Sequence, residues 1–292
     1  MPDETPADAG AEESALETRA ATATSPEPES ALPTEVGGHV VELPCGAILP
    51  DGTVHRAAEV VKMKGETRAA VARKDVKSDF AKASDIILSQ CLKRVGPSTT
   101  ASREALGRMV LGDRDFLMLE TRRISMSDEL KANLPCPHAG CKRTIEVIYQ
   151  LDEIEVRRIP DEARIVHEGR LCFRVDTKAI DGTPVKALCR FPVGADQHAL
   201  QPHYRSNEVR ANYRLYAMCL LQWDGAPATD KDFKFFEDMD VDLLDAFEEA
   251  FVSAQPGPIW EQEVECPNCS GPIRFSFEGS DFLYRPPRRG RT

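Results

Sequence analysis

The sequence lacks the features that mark membrane proteins and most enzyme classes. It has no apolar run long enough to cross a bilayer and no signal peptide, in which a charged segment precedes an apolar one. It also has no glycine-rich phosphate-binding loop, no pair of carboxylates in a catalytic frame, and no Ser/His/Asp or Cys/His set with catalytic spacing. We therefore predict a cytoplasmic protein that is not an enzyme and that has neither a membrane nor a small-molecule substrate as a partner.

The chain also lacks a broad basic surface of the kind that binds nucleic acid. Its formal net charge is -11, and residues 1–34 hold eight acids and one base. The remaining residues are therefore close to neutral, which argues against nucleic acid as a partner. Because residues 1–37 have almost no large apolar side chains, we expect them to form a disordered acidic leader. Residues 285–292 are a short basic tail, most simply a solvated end of the chain.

A cysteine motif, in contrast, is present twice. The first copy runs from Leu134 to Val147, and the second runs from Val264 to Phe275. Each copy has an apolar residue, one further residue, Cys-Pro, a short loop, a second cysteine and an isoleucine four positions later. Alternating apolar residues follow, and this pattern predicts a strand that leaves a tight loop.

The two motifs supply four thiols, those of Cys136, Cys141, Cys266 and Cys269. A chain that is not exported keeps its thiols reduced, which favours metal binding over disulfides. Four thiolates at these spacings are typical of a closed structural zinc site, so zinc is the predicted cofactor. Two alternatives stay open: two inert core pairs, or a redox site, which would need a helix after Cys269 that the sequence does not predict. His138, inside the first motif, either replaces a thiolate or is an exposed loop residue.

Several residues of the first half of the chain recur in the second half, in the same order and at a nearly constant separation in sequence. The recurring pairs, with their separations, are Asp51 and Asp181 (130), Gly65 and Gly194 (129), Cys91 and Cys219 (128), and Cys136 and Cys266 (130). Such a register predicts an internal duplication. The predicted fold is α+β, with two homologous half-domains, residues 38–158 and 166–284, that share one zinc-ribbon-like four-cysteine site. The cysteines outside the motifs are expected to be buried small hydrophobes: Cys45, Cys91, Cys172, Cys189 and Cys219.

Helices are predicted at equivalent places in the two halves. One is expected to start near Ser84 and to end at Gly96-Pro97, and its counterpart to run from about Ser206 to Trp223. Between them, the segment that begins with Gly194 is expected to be a short polar stretch.

A second pair of helices is predicted at Gly112–Ile124 and Asp240–Ser253. Both set charged residues beside an apolar stripe, so both are candidate contact surfaces. In the first of them Asp113 is the expected N-cap, which leaves Arg114 for a partner or an intramolecular salt bridge.

The order of these motifs resembles the baseplate hub assembly proteins of contractile-tailed phages, and also their relatives in phage-tail-like contractile injection systems of bacteria. The segments that carry the resemblance are Leu43–Gly46, Asp51–Arg56, the helix around Cys91, Gly112–Leu117 and Cys136-Pro137. The resemblance implies a non-enzymatic structural or assembly protein of a contractile tail, with other tail or baseplate proteins as partners. Such a protein is cytoplasmic or is incorporated in a phage-like particle.

A different function class remains as the alternative. Cys-Pro motifs also occur in zinc-ribbon regulators that bind nucleic acid, and the arginine-rich tail would suit that function. The near-neutral body and the acidic leader argue against it.

Overall fold

The structure is a computed structural model that describes residues 38–49, 52–99, 102–229 and 232–276. The leader predicted at residues 1–37 and the basic tail at residues 285–292 lie outside the described residues, as does Asp51. Helices and strands are interspersed along the chain, which confirms the predicted α+β class.

The described residues of the first half form five strands and five helices. They are β1 (His39–Ile48), β2 (Val54–Val60), α1 (Gly65–Val71), α2 (Lys74–Lys77), α3 (Phe80–Cys91), β3 (Leu92–Val95), α4 (Arg103–Arg108), α5 (Leu111–Ser125), β4 (Glu129–Pro135) and β5 (Thr144–Gln150). The first three strands form an antiparallel sheet in the order β1-β2-β3, and β4 and β5 form a separate hairpin.

The rest of the described chain begins with two short 3-10 turns and, between them, a two-residue strand. Its elements, with that strand first, are β6 (Val156–Arg157), β7 (Ile165–His167), β8 (Arg170–Lys178), β9 (Pro184–Arg190), α6 (Gly194–Tyr204), α7 (Glu208–Cys219), β10 (Leu220–Trp223), β11 (Ala226–Pro227), α8 (Phe233–Glu237), α9 (Val241–Ser253), β12 (Gly257–Pro258), β13 (Glu261–Glu265) and β14 (Pro272–Ser276). A five-stranded sheet has the order β11-β10-β9-β8-β7, while β12 pairs with β6 and β13 pairs with β14.

The two halves have the same order of main elements and the same strand register. From β1 to β5, every element except α2 has a counterpart of the same type in the series from β8 to β14. The pairs at equivalent positions are Ala58 with Val95 and Val60 with Leu92 in the first sheet, and Ala187 with Trp223 and Cys189 with Leu220 in the second. A duplicated unit would produce this repetition.

Two helix boundaries differ from the prediction because each helix runs directly into a strand. α3 starts four residues before Ser84, where the side chain of Asp79 accepts a hydrogen bond from the Lys82 amide at 3.1 Å. It ends at Cys91, and β3 follows without a glycine, since the backbone groups of β3 pair with β2. In the same way α7 ends at Cys219 and β10 begins at the next residue.

The segment that begins with Gly194 was expected to be a short polar stretch, and no helix was predicted there. It is the helix α6, which has few apolar residues and contains Pro202 near its end. Its start is held by Asp196, whose carboxylate accepts the Val193 amide at 2.8 Å and forms a bidentate pair with Arg190 at 2.6 and 2.8 Å.

In the part of the chain that the structure describes, two large clusters of buried apolar side chains form the core. The first is built around α3 and α5, with Leu88 and Leu117 fully buried, and the second around β8, β9 and α9, with Phe247 fully buried. Cys45 and Val110 of the first half belong to the second cluster, so β1 and the start of α5 lie where the two halves meet. All five cysteines outside the motifs are buried, as predicted.

The prediction that α5 forms a contact surface is wrong, because the helix is mostly buried. Asp113 is 0% and Arg114 is 1% exposed. Asp113 is not an N-cap either: the helix begins at Leu111, and the carboxylate instead accepts the amides of Cys45 at 2.7 Å and Gly46 at 2.9 Å. Of the two outcomes foreseen for Arg114, the intramolecular one is correct, since its guanidinium lies 2.7 Å from the carboxylate of Asp85.

Candidate metal centre

Each cysteine motif is the loop of a β-hairpin. In β4–β5 the last pairs before the loop are Leu134 with Ile145 and Pro135 with Thr144; in β13–β14 they are Val264 with Ile273 and Glu265 with Pro272. The first cysteine of each loop donates its amide across the loop, Cys136 to the Arg143 carbonyl at 2.8 Å and Cys266 to the Gly271 carbonyl at 2.9 Å. The strands that were predicted to leave each loop are thus β5 and β14.

A residue in the left-handed region turns each chain from the second cysteine into the following strand. These residues are Lys142, with φ of 50°, and Ser270, with φ of 55°. Each comes directly after the second cysteine of its motif, so the two loops share this turn although their lengths differ.

The two tips bring the four predicted cysteines together. All four Sγ atoms lie within 4.8 Å of one another. Two close pairs link the two hairpins, with Cys136 Sγ 3.7 Å from Cys269 Sγ and Cys141 Sγ 3.8 Å from Cys266 Sγ. A disulfide has a sulfur separation of about 2.05 Å, so these are free thiols. Tetrahedral coordination with bonds of about 2.3 Å places sulfurs about 3.8 Å apart, so the cluster has the dimensions of a four-thiolate metal site.

Hydrogen-bond donors surround two of the thiols and favour their ionised, metal-binding form. The backbone amide of Asn268, with that of Cys269, lowers the pKa of Cys266 to about 7. The backbone amide of Arg143 lowers the pKa of Cys141, and the Asn268 side chain donates to the same sulfur at 3.2 Å from the opposite hairpin. Burial raises the pKa of Cys136 to about 12, an effect that a bound cation reverses by holding the thiol deprotonated.

A small apolar cluster lies under the four sulfurs. It consists of the two isoleucines that follow the motifs, Ile145 and Ile273, with Cys136 and Cys266, and it is separate from the two large clusters. Partly buried side chains pack around it, among them Leu134 and Val264. So few apolar side chains contribute little to holding the two hairpin tips together, and small units with so little core commonly depend on a metal.

His138 matches neither of its two predicted roles, a ligand that replaces a thiolate or an exposed loop residue. It is half-buried, and its Nε2 lies 3.1 Å from the Pro272 carbonyl of the other hairpin. A Cβ at Gly271 would lie 2.2 Å from the same nitrogen, so the glycine is needed for the histidine to pack there. The group whose ligand atoms converge is therefore the four cysteines, without His138.

Further contacts hold the hairpins in place, and the sequence analysis missed them. Tyr149 of β5 donates a hydrogen bond to Gln262 of β13 and meets Phe275 edge-on, with ring centroids 6.3 Å apart. Next to the hairpins, β6 and β12 pair although a hundred residues separate them. No pattern in the sequence marks such two-residue strands.

The remaining histidines form no catalytic group with a serine or cysteine among the described residues. His198, on α6, lies 2.8 Å from Asp85, whose other oxygen contacts Arg114. This ionic group joins α6 to α3 and α5. In the part of the chain that the structure describes, no helix is both long enough and apolar enough to cross a membrane.

Residues 47–280 match the model of a protein family described as T4 bacteriophage base plate protein. The match includes both cysteine motifs and most of both halves. No curated protein and no solved structure matches the chain.

Proposed function

Because the chain belongs to the T4 bacteriophage base plate protein family, we propose that it is a structural or assembly component of the baseplate of a contractile, phage-tail-like particle. It acts through contacts with other tail or baseplate proteins and not through catalysis. The main support for the proposal is the family match over residues 47–280, because it covers most of both halves and includes all four clustered cysteines. The arrangement of the interior agrees with it, because the buried Asp113 and Arg114 of α5 form bonds within the chain, to the Cys45 amide and to the carboxylate of Asp85.

The second part of the proposal is that Cys136, Cys141, Cys266 and Cys269 hold one structural zinc ion. Zinc binds four thiolates in a closed tetrahedron, and the sulfur separations of 3.7 and 3.8 Å match that geometry. The ion would supply a cross-link between residues that lie more than 120 positions apart in the chain. Structural zinc contributes on the order of 10 kcal/mol to folding, so the site would fix the two hairpins to each other.

The third part is that the two halves descend from one duplicated unit, with half-domains at residues 38–158 and 166–284. The shared element order and register support this, and so does the way in which the cysteines pair. Exchanging the halves converts the pair Cys136–Cys269 into Cys266–Cys141, which is the other close pair. The hairpin tips therefore meet with two-fold pseudosymmetry.

Genetic deletion and complementation in the native host test the function. We expect deletion of the gene to leave tubes and sheaths without complete baseplates in electron micrographs, and the wild-type gene to restore whole particles. A gene with both Cys136→Ser and Cys269→Ser should fail to restore them, while Cys172→Ala, which alters a buried cysteine outside the cluster, should succeed. Whole, contractile particles in the deletion strain would refute the proposal.

A further inference from the structure

The two halves are joined by a small backbone junction between the start of α5 and the start of α6. The Leu111 amide donates to the Pro192 carbonyl at 2.9 Å, and the Gly194 amide donates to the Met109 carbonyl at 3.0 Å. Val110 and Val193 face each other in this isolated antiparallel bridge. The junction therefore has two sides, a receiving segment at residues 109–111 and an inserting segment at residues 192–194.

The inserting segment fits closely. A Cβ at Gly194 would lie 2.7 Å from the Leu106 carbonyl oxygen and 2.8 Å from the Arg114 guanidinium. One turn further along α6, His198 contacts Asp85 at 2.8 Å. The start of α6 is thus seated on α3, α4 and α5 of the other half.

Both sides of this junction have a counterpart elsewhere in the duplicated chain. The receiving segment at 109–111 corresponds to 239–241, at the start of α9, and the two N-cap residues have nearly the same backbone angles: Val110 has φ -57° and ψ 137°, and Asp240 has φ -60° and ψ 140°. The inserting segment at 192–194 corresponds to 63–65, at the start of α1, where the N-caps Val193 and Lys64 are both extended with ψ of 166°. The chain therefore holds a second receiving segment and a second inserting segment.

These second segments are not joined to each other. In the described part of the chain, the carbonyls of Met239 and Met63 and the amides of Val241 and Gly65 have no hydrogen-bond partner. α1 packs on α2 and α3, whereas α9 packs on β8 and β9. Val241 is 71% exposed, and a Cβ at Gly65 would touch nothing within 4 Å.

The charges around the second receiving segment and the second inserting segment are complementary. In the junction inside the chain Val110 lies opposite Val193. If the second inserting segment joined the second receiving segment in the same way, Lys64 would lie opposite Asp240. Opposite charges directly across an antiparallel bridge stabilise it. Lys62 adds a positive charge on one side, and Asp238 and Asp242 add negative charges on the other. None of these five side chains has an ion-pair partner among the described residues: Lys62, Lys64, Asp238, Asp240 and Asp242.

We propose that the protein associates with a second copy of itself head to tail, with Met63–Gly65 of one copy seated on Met239–Val241 of the next, repeating the junction inside each chain. The Val241 amide would donate to the Met63 carbonyl, and the Gly65 amide to the Met239 carbonyl. Such a contact joins two different surfaces, so it continues from copy to copy into a closed ring or an open chain. The proposal rests on the internal duplication, but it depends on neither zinc nor the baseplate.

Sedimentation velocity of the full-length protein over a wide concentration range tests this association. Lys64→Glu and Asp240→Lys should each weaken it by about tenfold or more, because each sets like charges face to face. The double variant, which exchanges the two charges, should restore it. The Asp240 side chain makes no capping bond, so its replacement should leave the fold intact, as a thermal melt can check.

A matched pair of variants on α9 adds a control. Val241→Asp should abolish association, whereas Val252→Asp, at a valine that is 59% exposed near the other end of the same helix, should leave it unchanged. Gly65→Ala should also weaken association without lowering the melting temperature, since the added methyl group meets only the neighbouring copy.

A wild-type protein that stays monomeric at every concentration would overturn the proposal, as would an association that Lys64→Glu leaves unchanged. The metal content of the same samples reports separately on the four-cysteine site. A failure here therefore leaves the zinc proposal standing.

Discussion

Replacing Asp113 by alanine should destabilise the protein more than any other single loss of a hydrogen-bonding side chain on α5. The carboxylate is completely buried and accepts two amides from β1, those of Cys45 at 2.7 Å and Gly46 at 2.9 Å. These bonds hold β1 against α5 at the place where the halves meet. Alanine would leave both amides buried without an acceptor.

The size of the effect follows from the cost of an unsatisfied buried amide. Each costs about 1–3 kcal/mol, so the free energy of unfolding should fall by about 2–6 kcal/mol. For a protein of this length, that corresponds to a fall of about 5–20 °C in melting temperature. Urea unfolding at pH 6 followed by circular dichroism would measure it. At that pH the carboxyl is mostly neutral in the fold, because burial raises the pKa of Asp113 to about 7.

Asp181 offers a matched control. Its carboxylate also accepts a backbone amide, that of Thr183 at 2.8 Å, but it lies in an exposed turn where water can take its place. Asp181→Ala should therefore change the free energy of unfolding by about 0.5 kcal/mol or less. The reasoning would be refuted if Asp113→Ala unfolded at the same urea concentration as Asp181→Ala.

Three further predictions concern the same region. Gly112→Ala should prevent correct folding, because its Cβ would lie 1.9 Å from the Pro256 carbonyl oxygen, whereas Gly107→Ala, with no atom nearer than 3.9 Å, should fold normally in a solubility and melting comparison. Arg114→Met should lower the free energy of unfolding by about 3 kcal/mol in urea titration, since it leaves the carboxylate of Asp85 without its buried partner. Relative to Asp113→Asn, which does not ionise, the wild type should lose stability as pH rises from about 4 to about 7, because the carboxyl has a pKa of about 3.9 in the unfolded chain and of about 7 in the fold. A stability difference that grows with pH would contradict this.

The sequence predicts the main elements of the fold because most of them follow local rules. The cysteine loops are followed by alternating apolar residues, and these became β5 and β14. Helix ends were harder to predict, since Leu92 and Val95 fit helical spacing as well as a strand. Pairing with β2, which is a non-local interaction, decides for the strand.

Charged residues on α5 show a second limit of local reasoning. Asp113 was predicted as the N-cap, and Arg114 was left for a partner or an intramolecular salt bridge, on a helix that was a candidate contact surface. The partners that allow their burial are the amides of Cys45 and Gly46 and the carboxylate of Asp85, which lie 29 to 68 positions away. Only the folded chain brings these groups together.

The candidate site was predicted more fully than the rest, since duplicated spacing alone implies that two incomplete sites meet. The sequence could not show that the close pairs cross from one hairpin to the other, or that Asn268 donates to Cys141. Nor could it show His138 packing on the opposite loop. Each of these contacts depends on how the two hairpins approach each other.

The metal content of the purified full-length protein tests the central claim most directly. Native mass spectrometry should find one zinc ion per chain. Zinc should be lost in Cys269→Ser together with a fall in melting temperature, and it should be retained in Cys172→Ala. A wild-type protein with no bound metal, four reactive thiols in the cluster and an unchanged melting temperature after chelation would contradict the claim that a metal joins the two halves.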